Sequence, residues 1–397
     1  MSPFLSSTLY ATLGWLLQFA LALPWLAVLD PKTFRRSVKN PVNWLIALGV
    51  AVGMGIGLTV FCNMEDKERL YVWGRAFGAL LHAQIIVDFF VLILPLLMLL
   101  WPQGAAVALA AFREGIRQPM FWMILALAGL VMVISPFLPY FTFGEDPKMV
   151  LELGYDVTML AGVLFGVLAS SLSISEEIEG RTAITVMSKP VSRRQFLLGK
   201  YVGILLAVMF MTGILSWVFN GIMLYEYYFE KTDITPPGWI EPVRQFFADK
   251  PPEMQKLLNF YLGGGAWLNE AAEKLPGLDF GLCQSMVLLA IAVALATRLP
   301  FIVTFCSCVV FFFLGHLTHI LVRVSAGNPL ISFTAKLFDN ILPGLEYFDL
   351  GQIVVRDVQP DFRMFVVYLF SVTGYAVLYS IIALLFGLIL FEDRDLA

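Results

Sequence analysis

Residue types able to do chemistry are few in this chain, and their spacing narrows what they can do. His316 and His319 sit three apart in one apolar run, a turn before Arg323, so a helix would put both rings on one face. Ionisable side chains within such a run mark a functional site by default. Two histidines without a third ligand are nevertheless a weak metal candidate. Cys62, Cys283, Cys306 and Cys308 lie in or at the ends of apolar runs, with no CxxC or zinc spacing, and read as small apolar helix residues. HExxH and GxSxG are missing from the sequence. Gly199-Lys200 is followed by Tyr201 and has Arg194 where a phosphate loop needs its first glycine. The expectation is a chain without catalytic residues or a cofactor of its own.

The densest charge lies in Ser171–Gly203, which reads as helix, turn, short helix, break and helix. Ser173 with Glu176 fits a capping box, and Gly180 is placed to end that helix. Thr182 can cap a short second helix whose Ala183, Ile184, Val186 and Met187 give an apolar surface, and Pro190 prevents its continuation. Ser192 with Gln195 is a second capping box. Arg193, Arg194 and Lys200, together with Lys189, Arg113 and Arg117, are placed to anchor helix ends at the inner headgroups. A compact knob of this kind, acidic at Glu176, Glu177 and Glu179 and partly apolar beyond, suits docking on a soluble partner.

The elements that must hold this knob are set by composition. Of 397 residues, 59% are apolar and 14% charged, with mean hydropathy +0.80, against about 45–50% and about 25% in soluble domains. Disorder, a disulfide scaffold and nucleic-acid binding are excluded. A bilayer-spanning helix needs roughly 20 mostly apolar residues, and about nine such runs occur, each too long and too apolar all round for barrel strands. They lie near 9–29, 43–62, 85–101, 120–140, 158–174, 196–225, 281–296, 301–321 and 365–391. The fold class is an all-α polytopic membrane protein. No Lys or Arg precedes the first run, and no small-residue cleavage site closes it, so it reads as a retained span rather than a secretory signal.

Placing the basic segments 30–41, 113–117 and 181–200 inside leaves the N-terminus outside and the C-terminus in the cytoplasm, as the positive-inside rule asks. Two longer segments then face outward. In 226–280, Val243–Phe247 and Met254–Leu262 read as short amphipathic helices among the breakers Pro236-Pro237, Pro251-Pro252 and Gly263-Gly264-Gly265. In 325–363, Leu330, Phe333 and Leu337 recur at helical spacing before Pro343. Asp88 and Arg323 are expected near span ends, and Asn220 and Gln284 as hydrogen-bonding bridges between helices.

At the charged knob the chain resembles the permease subunits of ABC-2 type ATP-driven transporters. Their pattern is an acidic pair or triplet, Gly-Thr or Gly-x-Thr, apolar residues, then Ser-Lys/Arg-Pro-Val-Ser-Arg and Gly-Lys-x-x-Gly. Here it is met by Glu176, Glu177, Glu179, Gly180, Thr182, Ser188, Lys189, Pro190, Val191, Ser192, Arg193, Gly199, Lys200 and Gly203, with Arg181 between the glycine and the threonine. Residues 105–118, with Leu109, Phe112 and Ile116 opposite Arg113, Glu114 and Arg117, are similar to the elbow helix before the first core span of that family. Pro343–Phe348 and the terminal Phe391–Leu396 are similar to its ending, although Glu392 and Asp393 replace the usual arginines.

The resemblance implies a six-span permease core over 105–397, with residues 1–104 as an N-terminal three-helix extension. It implies no ATPase in this chain, since ATP and Mg would be bound by a separate ABC-type ATPase subunit. It implies a second permease subunit in a homo- or heterodimer, surrounding membrane lipids, and an exporter in the inner (plasma) membrane. The segment 174–190 would be the coupling helix, with Glu176, Glu177, Glu179, Gly180, Arg181, Thr182 and Met187 meeting the ATPase. Two other readings stay open at this point: a non-transporting anchor that recruits an ATPase, and a membrane-embedded enzyme using His316 and His319.

Overall fold

The computed structural model describes residues 3–138, 146–179, 192–229, 237–324, 332–333, 336–338, 341–349 and 362–392, with the side chains of 178–179, 228–229, 318–324 and 362 left out. Twelve α-helices account for almost all of the described residues. They are α1 (Pro3–Leu29), α2 (Pro31–Lys39), α3 (Pro41–Met64), α4 (Lys67–Leu100), α5 (Pro102–Arg117), α6 (Pro119–Ile134), α7 (Asp146–Glu179), α8 (Arg193–Phe229), α9 (Ile240–Phe246), α10 (Pro252–Ala296), α11 (Phe301–Val324) and α12 (Phe362–Glu392). Two single 3-10 turns, Ser135–Phe137 and Leu345–Phe348, complete them.

Among the described residues, eight helices are long and apolar enough to cross a bilayer, and the apolar part of α11, Phe301–Leu317, is a shorter ninth. The expected all-α, polytopic class is what the structure has. Proline opens α2, α3, α5 and α6, where its missing N–H breaks no bond and its fixed φ starts the helix. Asp30 and Asn40 cap α2 and α3 with their side chains.

The chain divides into two compact units, Met1–Leu97 with Tyr227–Glu273, and Met98–Glu226 with Lys274–Ala397. The sequence pointed to a single cut near residue 104. It did not show that 227–273 belongs with the N-terminal helices, because nothing local in that segment names its partner.

In the first unit the glycines of α10 are packing surface, not the helix breakers expected from sequence. A Cβ on Gly78 would lie 2.7 Å from the Gly264 carbonyl oxygen, and one on Gly263 or Gly74 would collide with the backbone of Tyr71 or Phe260. The run Met254–Leu262 is therefore one stretch of a continuous 45-residue helix. Arg75 of α4, 3% exposed, pairs with Glu270 of α10. Gln18 and Trp25 of α1 donate to Gln84 and Asp88 of α4. Asp88 thus lies well inside α4, since that helix begins at Lys67 rather than near residue 85.

In the second unit the later half of α10 is the core element. Val287, Leu288, Leu289, Ala290, Ala292 and Val293 are fully buried, as expected of a helix apolar on all sides. Around it, Val163 and Val167 of α7, Cys308 of α11 and Val372 and Ala376 of α12 form one apolar cluster. Phe121, Phe165 and Phe210 join α6, α7 and α8, with Phe121 edge-on to Phe165 at 5.2 Å and stacked on Phe210 at 6.2 Å. Asn220 and Gln284 bridge helices as expected: Lys274 donates to Asn220 at 2.7 Å, and Gln284 meets His316 at 3.3 Å. Of the 325–363 segment, Leu330 and most neighbours lie outside the described residues.

Candidate functional site

Of the charged residues singled out by sequence, Lys200 and Glu177 meet, together with Glu114, where α5, the end of α7 and the start of α8 come together. Local chemistry starts α8 as expected: the Ser192 N–H donates to Gln195 Oε1 at 3.0 Å and the Gln195 N–H returns to Ser192 Oγ at 3.2 Å, a complete capping box. One turn on, Gly199 and Gly203 lie on one face of α8. A Cβ on Gly199 would stand 2.7 Å from Val107 Cβ, and one on Gly203 would strike the Ala108 carbonyl and Ala111. The two glycines let α8 lie directly on α5, whose buried face is Gly104, Ala105, Ala108, Ala111, Phe112 and Gly115. Leu109 and Ile116, expected to lead that face, are only partly covered, while Arg113 and Arg117 are exposed and Glu114, half-exposed, reaches Lys200.

Between those glycines Lys200 is 4% exposed. Its Nζ donates to Glu177 Oε1 at 2.5 Å, to Ser173 Oγ at 2.8 Å and to Glu114 Oε2 at 3.3 Å. One ammonium thus joins three helices with all three donors used, the arrangement a buried cation needs. Lys200 is an internal tie, where the sequence pointed to a headgroup anchor. Ser173 is likewise not an N-cap, because α7 runs unbroken through it to Glu179 and its hydroxyl serves the Lys200 cluster. Glu177 faces this cluster, while its neighbour Glu176 is exposed at the end of α7.

A second set of basic side chains holds the end of α12. Arg193 donates to the carbonyls of Phe391 and Glu392, both at 2.9 Å, with its guanidinium 5.7 Å from the Phe391 ring centre. Arg298 donates to the Leu390 carbonyl at 2.8 Å, and Arg194 pairs with Glu392 at 3.1 Å. Cations on the last carbonyls answer both the open acceptors and the negative end of the helix dipole. The sequence did not single out Arg298 and gave Glu114 and Ser173 other roles, because their partners lie far along the chain.

Gly180, Arg181, Thr182, Met187 and Lys189 lie outside the described residues, as does the side chain of Glu179. His319's side chain is also outside them. The His316 ring has both nitrogens engaged, Nδ1 to the Phe312 carbonyl at 2.8 Å and Nε2 to Gln284 at 3.3 Å. A carbonyl can only accept, so Nδ1 carries the proton and Nε2 is left to accept from the Gln284 amide.

With eight membrane-length apolar helices among its described residues, the chain is a multi-pass integral membrane protein. Residues 116–238 match the family model described as ABC-2 family transporter protein. The match covers the motif between Glu176 and Gly203 and supports an ABC-2 type permease, in line with the resemblance. Comparison with curated proteins gives no match.

Proposed function

We propose that this chain is the membrane-spanning permease subunit of an ABC exporter, and that residues 174–190 form the coupling element seated on a separate ATPase subunit. The observation that carries the reading is the family match over 116–238, which contains this element together with α7 and α8 on either side of it. In this reading ATP and Mg are bound by the partner. Closure of two ATPase subunits moves two permease subunits, each through its own coupling element, within the inner (plasma) membrane, with the N-terminus outside and the C-terminus in the cytoplasm.

The side chains divide the work. In this reading Glu176, exposed at the end of α7, meets the partner together with Glu179, Gly180, Arg181, Thr182 and Met187. Glu177 instead faces Lys200. Force applied to 174–190 would reach α5 through the Lys200 ammonium and the glycine seat beside it. Arg113 and Arg117, exposed on α5, would meet inner headgroups in this reading.

The test is to reverse Glu176 and Glu179 to Lys together and to measure how much ATPase subunit co-purifies from native membrane. The expected result is a loss of complex of tenfold or more, on the order of the 2–5 kcal/mol that a truncated interfacial charge pair costs. Unchanged complex yield would sink the assignment.

A further inference from the structure

The short helix between the first two spans carries a charge pattern that the permease reading does not use. In α2, Lys32, Arg35, Arg36 and Lys39 recur at i, i+3, i+4 and i+7. With 3.6 residues per turn, they fall within an arc of about 100°, and Pro31, Phe34 and Val38 share an adjoining arc of about 60°. All four cations are exposed, and among the described residues none forms a salt bridge. The nearest acid, Asp30, accepts from the N–H groups of Lys32 and Thr33 at 3.2 and 3.0 Å, so its carboxylate serves the helix start.

The placement of this stripe follows from chain connectivity. One residue, Asp30, separates α2 from α1, and one residue, Asn40, separates it from α3; α1 and α3 are both long enough to span the bilayer. Those two helices pack closely, with a Cβ on Gly55 falling 2.9 Å from the Thr12 nitrogen. Side chains at the start of α3 hold the end of α2: Asn43 Nδ2 donates to the Ser37 carbonyl at 3.1 Å and Trp44 Nε1 to the Val38 carbonyl at 2.9 Å. A helix joined so tightly to two spans stays at the level where both leave the hydrocarbon. Trp44, a side chain favoured at that interface, marks the same level.

We infer that α2 is a binding surface for anionic phospholipid headgroups, with Lys32, Arg35, Arg36 and Lys39 as its phosphate ligands. The apolar arc of Pro31, Phe34 and Val38 rests on the acyl boundary, and the basic arc meets the phosphates. Cations held near an anionic bilayer surface each contribute about fivefold in affinity, and fixing them on a capped helix removes the ordering cost that a flexible basic loop bears. Charge complementarity and position both favour lipid over an acidic protein.

The experiment uses the full-length protein in nanodiscs of phosphatidylcholine with and without phosphatidylglycerol, counting retained lipids by native mass spectrometry. The informative variant carries Phe34→Arg, Arg35→Phe, Arg36→Val and Val38→Arg. It keeps four cations in the loop, and with them the positive-inside signal, but splits the stripe. Wild type should retain phosphatidylglycerol over phosphatidylcholine by about tenfold or more, and the rearranged variant should lose that preference. Should the rearranged chain fail to fold, Arg35→Gln with Arg36→Gln should cost at least about fivefold of it. Equal preference in wild type and variant would overturn the inference. Binding of inorganic phosphate or of a poly-glutamate peptide with the affinity shown for lipid would also overturn it, by assigning the stripe to a soluble anion or an acidic protein.

Discussion

Lys200 shows how one buried ammonium can organise three helices. Its charge is tolerable in the interior because Glu177, Ser173 and Glu114 accept hydrogen bonds from all three of its N–H groups. Replacing it by Met should therefore leave Glu177 beside Glu114 with no counter-charge. Breaking a buried pair costs about 3–5 kcal/mol, and the half-exposed Glu114 brings the expected loss here to about 1–3 kcal/mol. A lower thermal midpoint for Lys200→Met in detergent, partly restored by adding Glu177→Gln, is the expected result. Additive effects of the two substitutions would show that the pair is not coupled. The same residues show what a sequence can reveal. Ser192 and Gln195 were readable as a cap because both partners lie within one turn. Lys200 was not, because Glu177 and Glu114 lie 23 and 86 residues away, and a lysine near a span end looks the same whether it turns toward lipid or into the protein.

Glycine spacing decides how closely the elements approach. Gly199 and Gly203 seat α8 on α5, and Gly74, Gly78, Gly263 and Gly264 seat α4 on α10. Small residues of this kind are how helices pack in lipid, where apolar burial gives little drive to association. Gly203→Leu should force α5 and α8 apart and cost about 1–3 kcal/mol by overpacking. Gly53→Leu, at a position where an added Cβ meets nothing within 4 Å, should leave the thermal midpoint unchanged or slightly raised. Equal effects at the two positions would remove the packing role assigned to Gly203. Helix existence was legible from apolar run length, whereas helix extent was not. α4, α7 and α10 all continue well past their apolar windows, because tertiary packing of a polar or glycine-rich stretch sustains a helix that local composition alone would end.

At the scale of the molecule, the count of spans fixes which side each segment faces. The positive-inside map puts Arg117 in the cytoplasm and Asp249 outside. In a Cys306→Ser background, which removes the exposed native thiol among the four, Asp249→Cys should react with an impermeant maleimide in intact cells. Arg117→Cys should react only after permeabilisation. Reaction of both from the same side would mean that the number of spans between them is even rather than odd. The composition of the first unit was the least legible feature of all, since it joins the N-terminal helices to a segment that follows them only after α5, α6, α7 and α8.

The pairing of Arg75 with Glu270 sets a clock on biosynthesis. The two residues are 195 positions apart, so at the ribosome's pace of about 5–20 residues per second the guanidinium precedes its carboxylate by roughly 10–40 s. Throughout that interval α4 carries a cation and a bare glycine track with no helix laid upon them. The nascent chain must keep Arg75 in contact with water or headgroups until α10 is made, as long basic side chains near a span end can do. The face of α4 that carries Arg75, Gly74 and Gly78, although synthesised early, is thus completed only when α10 is made.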